Sequence, residues 1–143
     1  MITAALRAHL LTVSAVTALV STRIRLEKMV QSEPIWPVLR LHLIDRFGGM
    51  HLRGSAGIKR ARVQVDALYM EVSGLNVHTL AWALSAAVEG PGDGTGLLGF
   101  TGDIGSPAVH IHAITDGGAR SGYDPHELKQ FKVMHDYIVD FSE

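Results

Sequence analysis

The 143-residue chain contains no cysteine, which excludes disulfide bonds, thiolate nucleophiles and cysteine-ligated zinc. It also lacks an excess of charge of either sign, since its net charge is −1 at pH 7. Dedicated nucleic-acid-binding proteins usually carry a strong basic excess, so this balance argues against that class. The chain does have 47% apolar and 19% charged residues, which is typical of a globular protein, and we expect one domain over residues 1–143.

The apolar run near the N-terminus is too short to cross a bilayer, which takes about 20 apolar residues. This run, Leu10–Val20, follows Arg7 and has the position of a signal peptide, but Thr12, Ser14 and Thr17 interrupt it. An amphipathic helix explains the run better, and we expect no association with a membrane.

Two segments have the apolar spacing of helices. The first is Thr3–Val20, in which Ser14 is a candidate cap for a second short turn. The second begins after Ser73, another candidate cap, and ends at Gly90 and Pro91.

Four further segments alternate apolar and polar residues, as half-buried antiparallel strands do. The cleanest alternation runs from residue 59 to residue 70, where every odd position from 61 to 69 is apolar. We expect an α+β domain in which two main helices pack on one face of an about four-stranded, mainly antiparallel sheet. The predicted strands are Val38–Asp45, Lys59–Met70, Ala108–Thr115 and Gln130–Phe141.

Glycine is concentrated in two stretches between these elements, Phe47–Ile58 and Pro91–Gly105, and the second contains six glycines. We interpret the first as a mobile loop or hairpin tip and the second as a flexible loop rich in turns. The run from Gly90 to Gly96 lacks the following helix and the lysine of a phosphate-binding loop, so phosphate binding is not assigned. The proline-containing stretch Ser21–Pro37 is predicted to be irregular.

Eight histidines stand out in a chain of this length. His110 and His112 point the same way on a predicted strand, a spacing that zinc sites use, and His126, His135 or Asp116 could complete a ligand set. Nothing in the spacing selects these ligands, and a polar outer strand face is the simpler interpretation. His135 lies on the apolar side of the last predicted strand, where a satisfied core or interface histidine is more common than a catalytic base. We expect no bound metal and no cofactor.

The signatures of nucleophilic catalysis are missing from the sequence. Ser73, Ser106 and Ser121 are not within a G-x-S-x-G motif, and no carboxylate pair has a telling spacing. Carboxylates that are far apart in the sequence can still meet in space, so these absences do not exclude an enzyme, but we expect no catalytic residues. The basic stretch Arg53–Arg62 has no interleaved aromatic residues for base stacking, which favours a solvated strand face over a surface that faces DNA or a neighbouring subunit.

Four stretches of the sequence carry a family likeness. They are A-L-R-A-H-L-L-T-V-S-A-V-T-A-L-V-S-T-R-I (Ala5–Ile24), P-I-W-P-V-L-R-L (Pro34–Leu41), A-R-V-Q-V-D-A-L-Y (Ala61–Tyr69) and Y-D-P-H-E-L-K-Q-F-K-V-M-H-D-Y-I-V-D-F (Tyr123–Phe141). Taken in this order, they resemble the tail-completion, or tail-terminator, family of long-tailed phages and gene transfer agents.

The resemblance implies a structural subunit that forms a homo-oligomeric ring, usually a hexamer. Such a ring caps the tail tube protein, ends tail polymerisation and joins the tail to a head–tail connector or stopper protein. DNA passes through its lumen without sequence-specific binding. The expected location is the tail of a virion or phage-like particle, assembled in the bacterial cytoplasm. A neck adaptor or stopper of the same connector is the alternative, and a small histidine-using metal-binding module or enzyme is a third interpretation.

A ring subunit needs surfaces that contact its neighbours. We predict these contacts in the two glycine-rich stretches, which could order on assembly, and on the strand face of the basic stretch. The candidate interface residues are Phe47, Met50, His51, Arg53, Arg60, Arg62, Gln64, Leu97, Leu98 and Phe100.

Overall fold

The computed structural model describes residues 2–27, 35–51, 54–70, 76–124 and 130–143. These ranges form three helices and six strands. The helices are α1 (Ile2–Leu10), α2 (Ser14–Val20) and α3 (Val77–Glu89). The strands are β1 (Ile24–Leu26), β2 (Val38–His51), β3 (Gly54–Met70), β4 (Gly102–Ile104), β5 (Val109–Asp124) and β6 (Gln130–Ser142).

All six strands belong to one sheet, in the order β1-β2-β3-β6-β5-β4. β1 is parallel to β2, and the other neighbouring strands are antiparallel. The predicted four-stranded sheet with two main helices is therefore wrong, because the chain forms a six-stranded, mixed, curled half-barrel with three helices. The two additional strands are the outermost ones, and each has only three residues, which is too short to show an alternating pattern in the sequence.

The N-terminal apolar run folds as two helices, α1 and α2, whose axes differ by 91°. Val13, not Ser14, is the N-cap residue of α2, and its side chain makes no capping hydrogen bond. Asn76 caps α3 by accepting a hydrogen bond from the backbone N–H of Thr79 (3.2 Å), whereas Ser73 lies outside the described residues. In the described part of the chain no single helix is long and apolar enough to span a bilayer; α1 and α2 pass that test only as a bent pair.

The core lies between the helices and the inner face of the sheet. The alternation predicted for β3 is confirmed, because Ala61, Val63, Val65, Ala67 and Tyr69 are all buried there. α3 packs on β3 and β6, while α1 contacts β1, β2 and β4. Since β1 and β4 are the two outermost strands, the sheet must curl around α1 to bring both of them into contact with this helix.

The two glycine-rich stretches are more regular than predicted. Most of Phe47–Ile58 belongs to β2 and β3, which form an antiparallel pair. The interpretation of this stretch as a hairpin tip is therefore confirmed, and its interpretation as a loop is wrong. Register shifts in β2 accommodate the glycines within the strand pair. In the second stretch, the N–H groups of Leu97 and Leu98 donate to the carbonyl oxygens of Val88 (2.8 Å) and Glu89 (3.0 Å), which attaches the loop to the end of α3.

The last two long strands extend the predicted ones. β6 runs from Gln130 to Ser142, close to its predicted bounds. β5 continues past Thr115, the predicted end of this strand, to Asp124, because a register shift between Asp116 and Ala119 keeps it paired with β6. This shift places Asp116 and its neighbouring glycines beside the middle of β6.

Candidate functional site

The face of the sheet that turns away from the helices, here called the outer face, carries most of the charged side chains of the central strands. In β3 these side chains alternate with the core residues, and the antiparallel register places them beside the charged residues of β6. The outer-face residues with polar contacts are Arg40, His42, Arg60, Arg62, Gln64, Asp66, Arg120, Asp136 and Asp140.

Asp66 is the centre of this face and is 0% exposed. Its Oδ2 atom accepts hydrogen bonds from Arg40 Nη2 (2.7 Å) and Nε (3.1 Å) and lies 2.7 Å from His42 Nε2. Its Oδ1 atom accepts from Gln64 Nε2 (2.7 Å). Burial on its own raises the pKa of Asp66, but the hydrogen bonds from His42, Arg40 and Gln64 together hold that pKa below its usual value. The carboxylate is therefore a fixed, ionised anchor for two strands.

A second buried carboxylate, Asp136, lies next to this anchor and is 6% exposed. Its Oδ2 atom is 3.6 Å from Arg120 Nη1 and 4.0 Å from Arg62 Nη1. Arg120 also donates through Nη2 to Gln64 Oε1 (3.0 Å), which connects the two carboxylates through one network. Among the described residues, Asp136 Oδ1 is buried without a hydrogen-bond partner. The centre of the outer face is thus a buried, connected network of charged and polar side chains.

The rim of the outer face has more exposed ion pairs. Arg60 Nε donates to Asp140 Oδ1 (2.6 Å) there, whereas the Arg46–Glu143 pair (3.4 Å) lies at the same end of the sheet but on the inner side, over the core residue Phe141. Water screens such pairs, so they add little to stability and can exchange partners at low cost. A hydrogen-bonded charged centre with an exposed charged rim is a suitable surface for a contact with another protein.

The structure separates the predicted interface residues into two groups. Arg60 and Arg62 are exposed on the outer face beside the buried Gln64. Leu97 is fully buried in the core, and Leu98 and Phe100 are partly buried on the helical side. The side chains of Phe47, Met50 and His51, and all of Arg53, lie outside the described part of the structure. The role of all ten residues in assembly stays a prediction.

A different group of side chains meets on the helical side of the sheet, where the end of α3 approaches β5 and β6. One potential ligand atom from each of Glu89, Asp116 and His135 lies within 4.8 Å of the others. His135 Nε2 is 2.8 Å from Asp116 Oδ1, and His135 Nδ1 is 3.3 Å from the hydroxyl oxygen of Tyr137. The rings of His135 and Tyr137 stack with their centroids 4.3 Å apart. We call Glu89, Asp116 and His135 the carboxylate–histidine cluster.

The electrostatics of the carboxylate–histidine cluster are dominated by negative charge. A hydrogen bond from the backbone N–H of Gly118, followed in size by one from His135, lowers the pKa of Asp116. Burial raises the pKa of Tyr137, and the charges of Glu89 and Asp116 raise it further. The carboxylate of Asp116 is therefore ionised at neutral pH, and the hydroxyl of Tyr137 keeps its proton.

The histidine pair predicted from spacing lies elsewhere. His110 and His112 are exposed, with ring centroids 4.7 Å apart, while Val109 and Ile111 are buried, which confirms the polar strand face. His110 Nδ1 is 2.6 Å from Asp103 Oδ1. Asp116 and His135 do come together, but in the described cluster they are joined by Glu89 and not by the histidine pair. His126 lies outside the described residues.

Comparison with known proteins finds a solved structure with a similar fold. No protein-family model matches the chain, and no curated protein matches it. Among solved structures, the chain is similar to a chain of a "Virion of native gene transfer agent (GTA) particle", with a TM-score of 0.66 and 12% sequence identity. The match covers 98% of this chain and 93% of the other. Nearly the whole of this chain therefore has a fold that a chain of a gene transfer agent virion also has.

Proposed function

We propose that the protein is a structural component of a phage-like particle, and specifically the ring-forming subunit that ends the tail. The observation that carries this proposal is the similarity in fold, over nearly the whole of both chains, to a chain of a gene transfer agent virion. The four sequence stretches that resemble the tail-completion family support the position at the tail end. The role is assembly, not catalysis.

The architecture suits contacts between copies of the chain. The half-barrel has two different margins, β1 on one side and β4 on the other. A contact between unlike surfaces of successive subunits is heterologous, and it closes into a ring when the rotation between subunits permits. In the proposed ring the tail tube protein lies on one side and the head–tail connector or stopper protein on the other, with DNA in the lumen. A hexamer is the expected ring.

Electron microscopy of the purified protein, alone and mixed with tail tubes, tests the ring. We expect rings, or rings seated on the last layer of the tube. Monomers only, under both conditions, would overturn the proposal. Deletion of the gene in the producing strain then separates two positions in the particle. Overlong tails support the terminator, whereas tails of normal length that fail to join heads indicate a neck adaptor or stopper.

Loss of charge on the outer face is expected to weaken assembly without unfolding the subunit. We predict that a double Arg60→Gln, Arg62→Gln variant raises the subunit concentration needed for half-maximal ring formation by about tenfold. Both side chains are about half exposed, so the melting temperature should change little. Sedimentation velocity over a concentration series measures the shift.

A double Thr79→Glu, Ala83→Glu variant is the matched control, since it changes the net charge in the same direction at two exposed positions of α3. It should assemble as the unmodified chain does. The reverse result, in which only the α3 variant is impaired, would place the contact on the helical side.

A further inference from the structure

We propose that the carboxylate–histidine cluster of Glu89, Asp116 and His135 is a binding site for one divalent transition-metal ion, with Zn²⁺ as the preferred metal. The three side chains come from the end of α3, the irregular part of β5 and the middle of β6. The described residues contain one group of this kind. The inference goes beyond the proposed ring and departs from the sequence-based expectation that the protein binds no metal.

The distances within the cluster are close to those of a zinc site. Zinc is bound at about 2.1 Å by imidazole nitrogen and carboxylate oxygen, so two ligands at a tetrahedral angle are ~3.4 Å apart. His135 Nε2 and Asp116 Oδ1 are now 2.8 Å apart and share a hydrogen bond. If these two atoms move apart by a small amount, there is room for the ion between them. Glu89 lies within 4.8 Å of both and has a flexible side chain, so a rotamer change can bring its carboxylate to the ion.

The charge of the cluster favours a cation. Two carboxylates converge on a histidine that is only 5% exposed, and one of them belongs to the last residue of α3. The carboxyl end of a helix carries partial negative charge, which adds to the attraction. A nitrogen ligand beside two oxygen ligands suits zinc better than Mg²⁺, which prefers oxygen and keeps much of its water. Three protein ligands leave the fourth zinc position to water.

Tyr137 supplies the support that a metal-bound histidine needs. The pairing of His135 Nε2 with the Asp116 carboxylate requires a proton on Nε2, and in the neutral imidazole Nδ1 then accepts from the Tyr137 hydroxyl. When Nε2 binds a metal, the ring proton moves to Nδ1 and donates to the Tyr137 oxygen, with no net change in the proton count of the imidazole. Partners of this kind orient ligand histidines in metalloproteins. Tyr137 is 0% exposed and stacks on the ring, which fixes its orientation.

The Asp103–His110 pair shows why a histidine next to an aspartate is not sufficient. Its nitrogen and oxygen atoms are 2.6 Å apart, as close as in the cluster, but both side chains are about half exposed or more. No third ligand of the described chain joins them within the same distance limit. This pair therefore provides a matched control for the binding site.

Zinc titration of the untagged, chelator-treated full chain tests the site at pH 7.5. We expect one bound Zn²⁺ per chain and a rise in melting temperature of about 5–10 °C at a hundredfold excess over the dissociation constant, because the ion binds the folded state. Mg²⁺ at the same concentration should leave the melting temperature unchanged. Two-bond ¹H–¹⁵N NMR spectra should show His135 change from the Nε2–H to the Nδ1–H form, a readout independent of stability.

Variants assign the ligands. Asp116→Asn and Glu89→Gln should each weaken zinc binding at least tenfold, and His135→Gln should abolish it. Asp103→Asn and His110→Gln should leave binding unchanged. If His135→Gln does not fold, the Asp116→Asn and Glu89→Gln variants test the site instead. Both should fold, since Asp116 is about half exposed and Glu89 is partly exposed. No zinc binding at millimolar concentration, or binding that is lost only in the Asp103 and His110 variants, would overturn the proposal. Ring formation does not enter these readouts, so the two proposals can fail separately.

Discussion

Replacement of Asp66 by alanine is expected to lower the free energy of unfolding by about 3 kcal/mol at pH 7. The substitution leaves Arg40 and His42 without their shared carboxylate, and both are only 21% exposed at the side chain. It also removes the acceptor of Gln64. A buried positive group whose partner is lost keeps its desolvation cost without compensation. Equilibrium unfolding in urea, followed by circular dichroism, gives the difference.

Asp140→Ala is the control, because Asp140 holds Arg60 at a similar distance, 2.6 Å, but on the exposed rim of the outer face. Its effect should be much smaller, since exposed ion pairs contribute little. Equal losses in the two variants would show that the buried network around Asp66 is not a special source of stability.

Acid should destabilise the protein by protonating the Asp66 carboxylate. Because folding lowers the pKa of Asp66, its stabilising contribution is present above its unfolded pKa of about 4 and is lost as the pH falls through the lower folded-state value. The unmodified chain should therefore lose stability more steeply than the Asp66→Ala variant below about pH 4. Parallel curves for the two proteins would contradict this assignment.

Replacement of Gly96 by alanine is the second change with a large expected effect, a loss of about 3 kcal/mol. A Cβ atom at this position would lie 2.6 Å from the backbone oxygens of both Val88 and Glu89. The same two oxygens accept the hydrogen bonds that attach the loop to α3. In addition, the backbone oxygen of Gly96 accepts a hydrogen bond from His9 Nε2 (2.9 Å). The loop must move away from the helix, and thermal unfolding should show the loss.

Gly122→Ala is the matched control, because its Cβ atom would meet only the flexible ends of Met134 and Lys132 at 3.4 and 3.5 Å. Neither Gly96 nor Gly122 has a positive φ angle, so the two substitutions differ in space and not in backbone strain. A neutral Gly96→Ala variant would mean that the loop is free of the helix in solution.

The central strands were predictable because their sequence has a strict period. From Ala61 to Tyr69 every second residue is apolar and buried, and a shift by one residue would expose all of them. The end of α3 at Gly90 was predictable for a similar reason, since glycine and proline end helices. In both places a local pattern and the tertiary structure require the same residue types.

The edge strands of the sheet and the bend between α1 and α2 had no such pattern in the sequence. β1 and β4 each comprise three residues, and they are strands only because a longer strand lies beside them. Leu6 and Val16 are both fully buried, so the apolar spacing is continuous through the break between α1 and α2. The direction of α2 depends on where α3 lies, and sequence spacing does not contain that information.

The network around Asp66 and the carboxylate–histidine cluster were predictable from the sequence to different degrees. Arg40, His42 and Asp66 lie on the polar face of predicted strands, but their meeting depends on the register between those strands. Asp116 and His135 were both considered as metal ligands, yet nothing in the sequence connected them to Glu89 at the end of a helix. Asp116 lies opposite Tyr137, next to the register shift in β5, which is beyond the predicted end of that strand at Thr115.

The N-terminal helix has a mechanical consequence. Along the sheet, β1 and β4 are separated by four other strands, but α1 contacts both directly. This helix therefore bridges the two margins of the half-barrel on the inner side of the sheet. A displacement of one margin would reach the other through α1 as well as through the strands between them. In the proposed ring, α1 would thus give each copy a second and shorter connection between the surfaces that face its two neighbours.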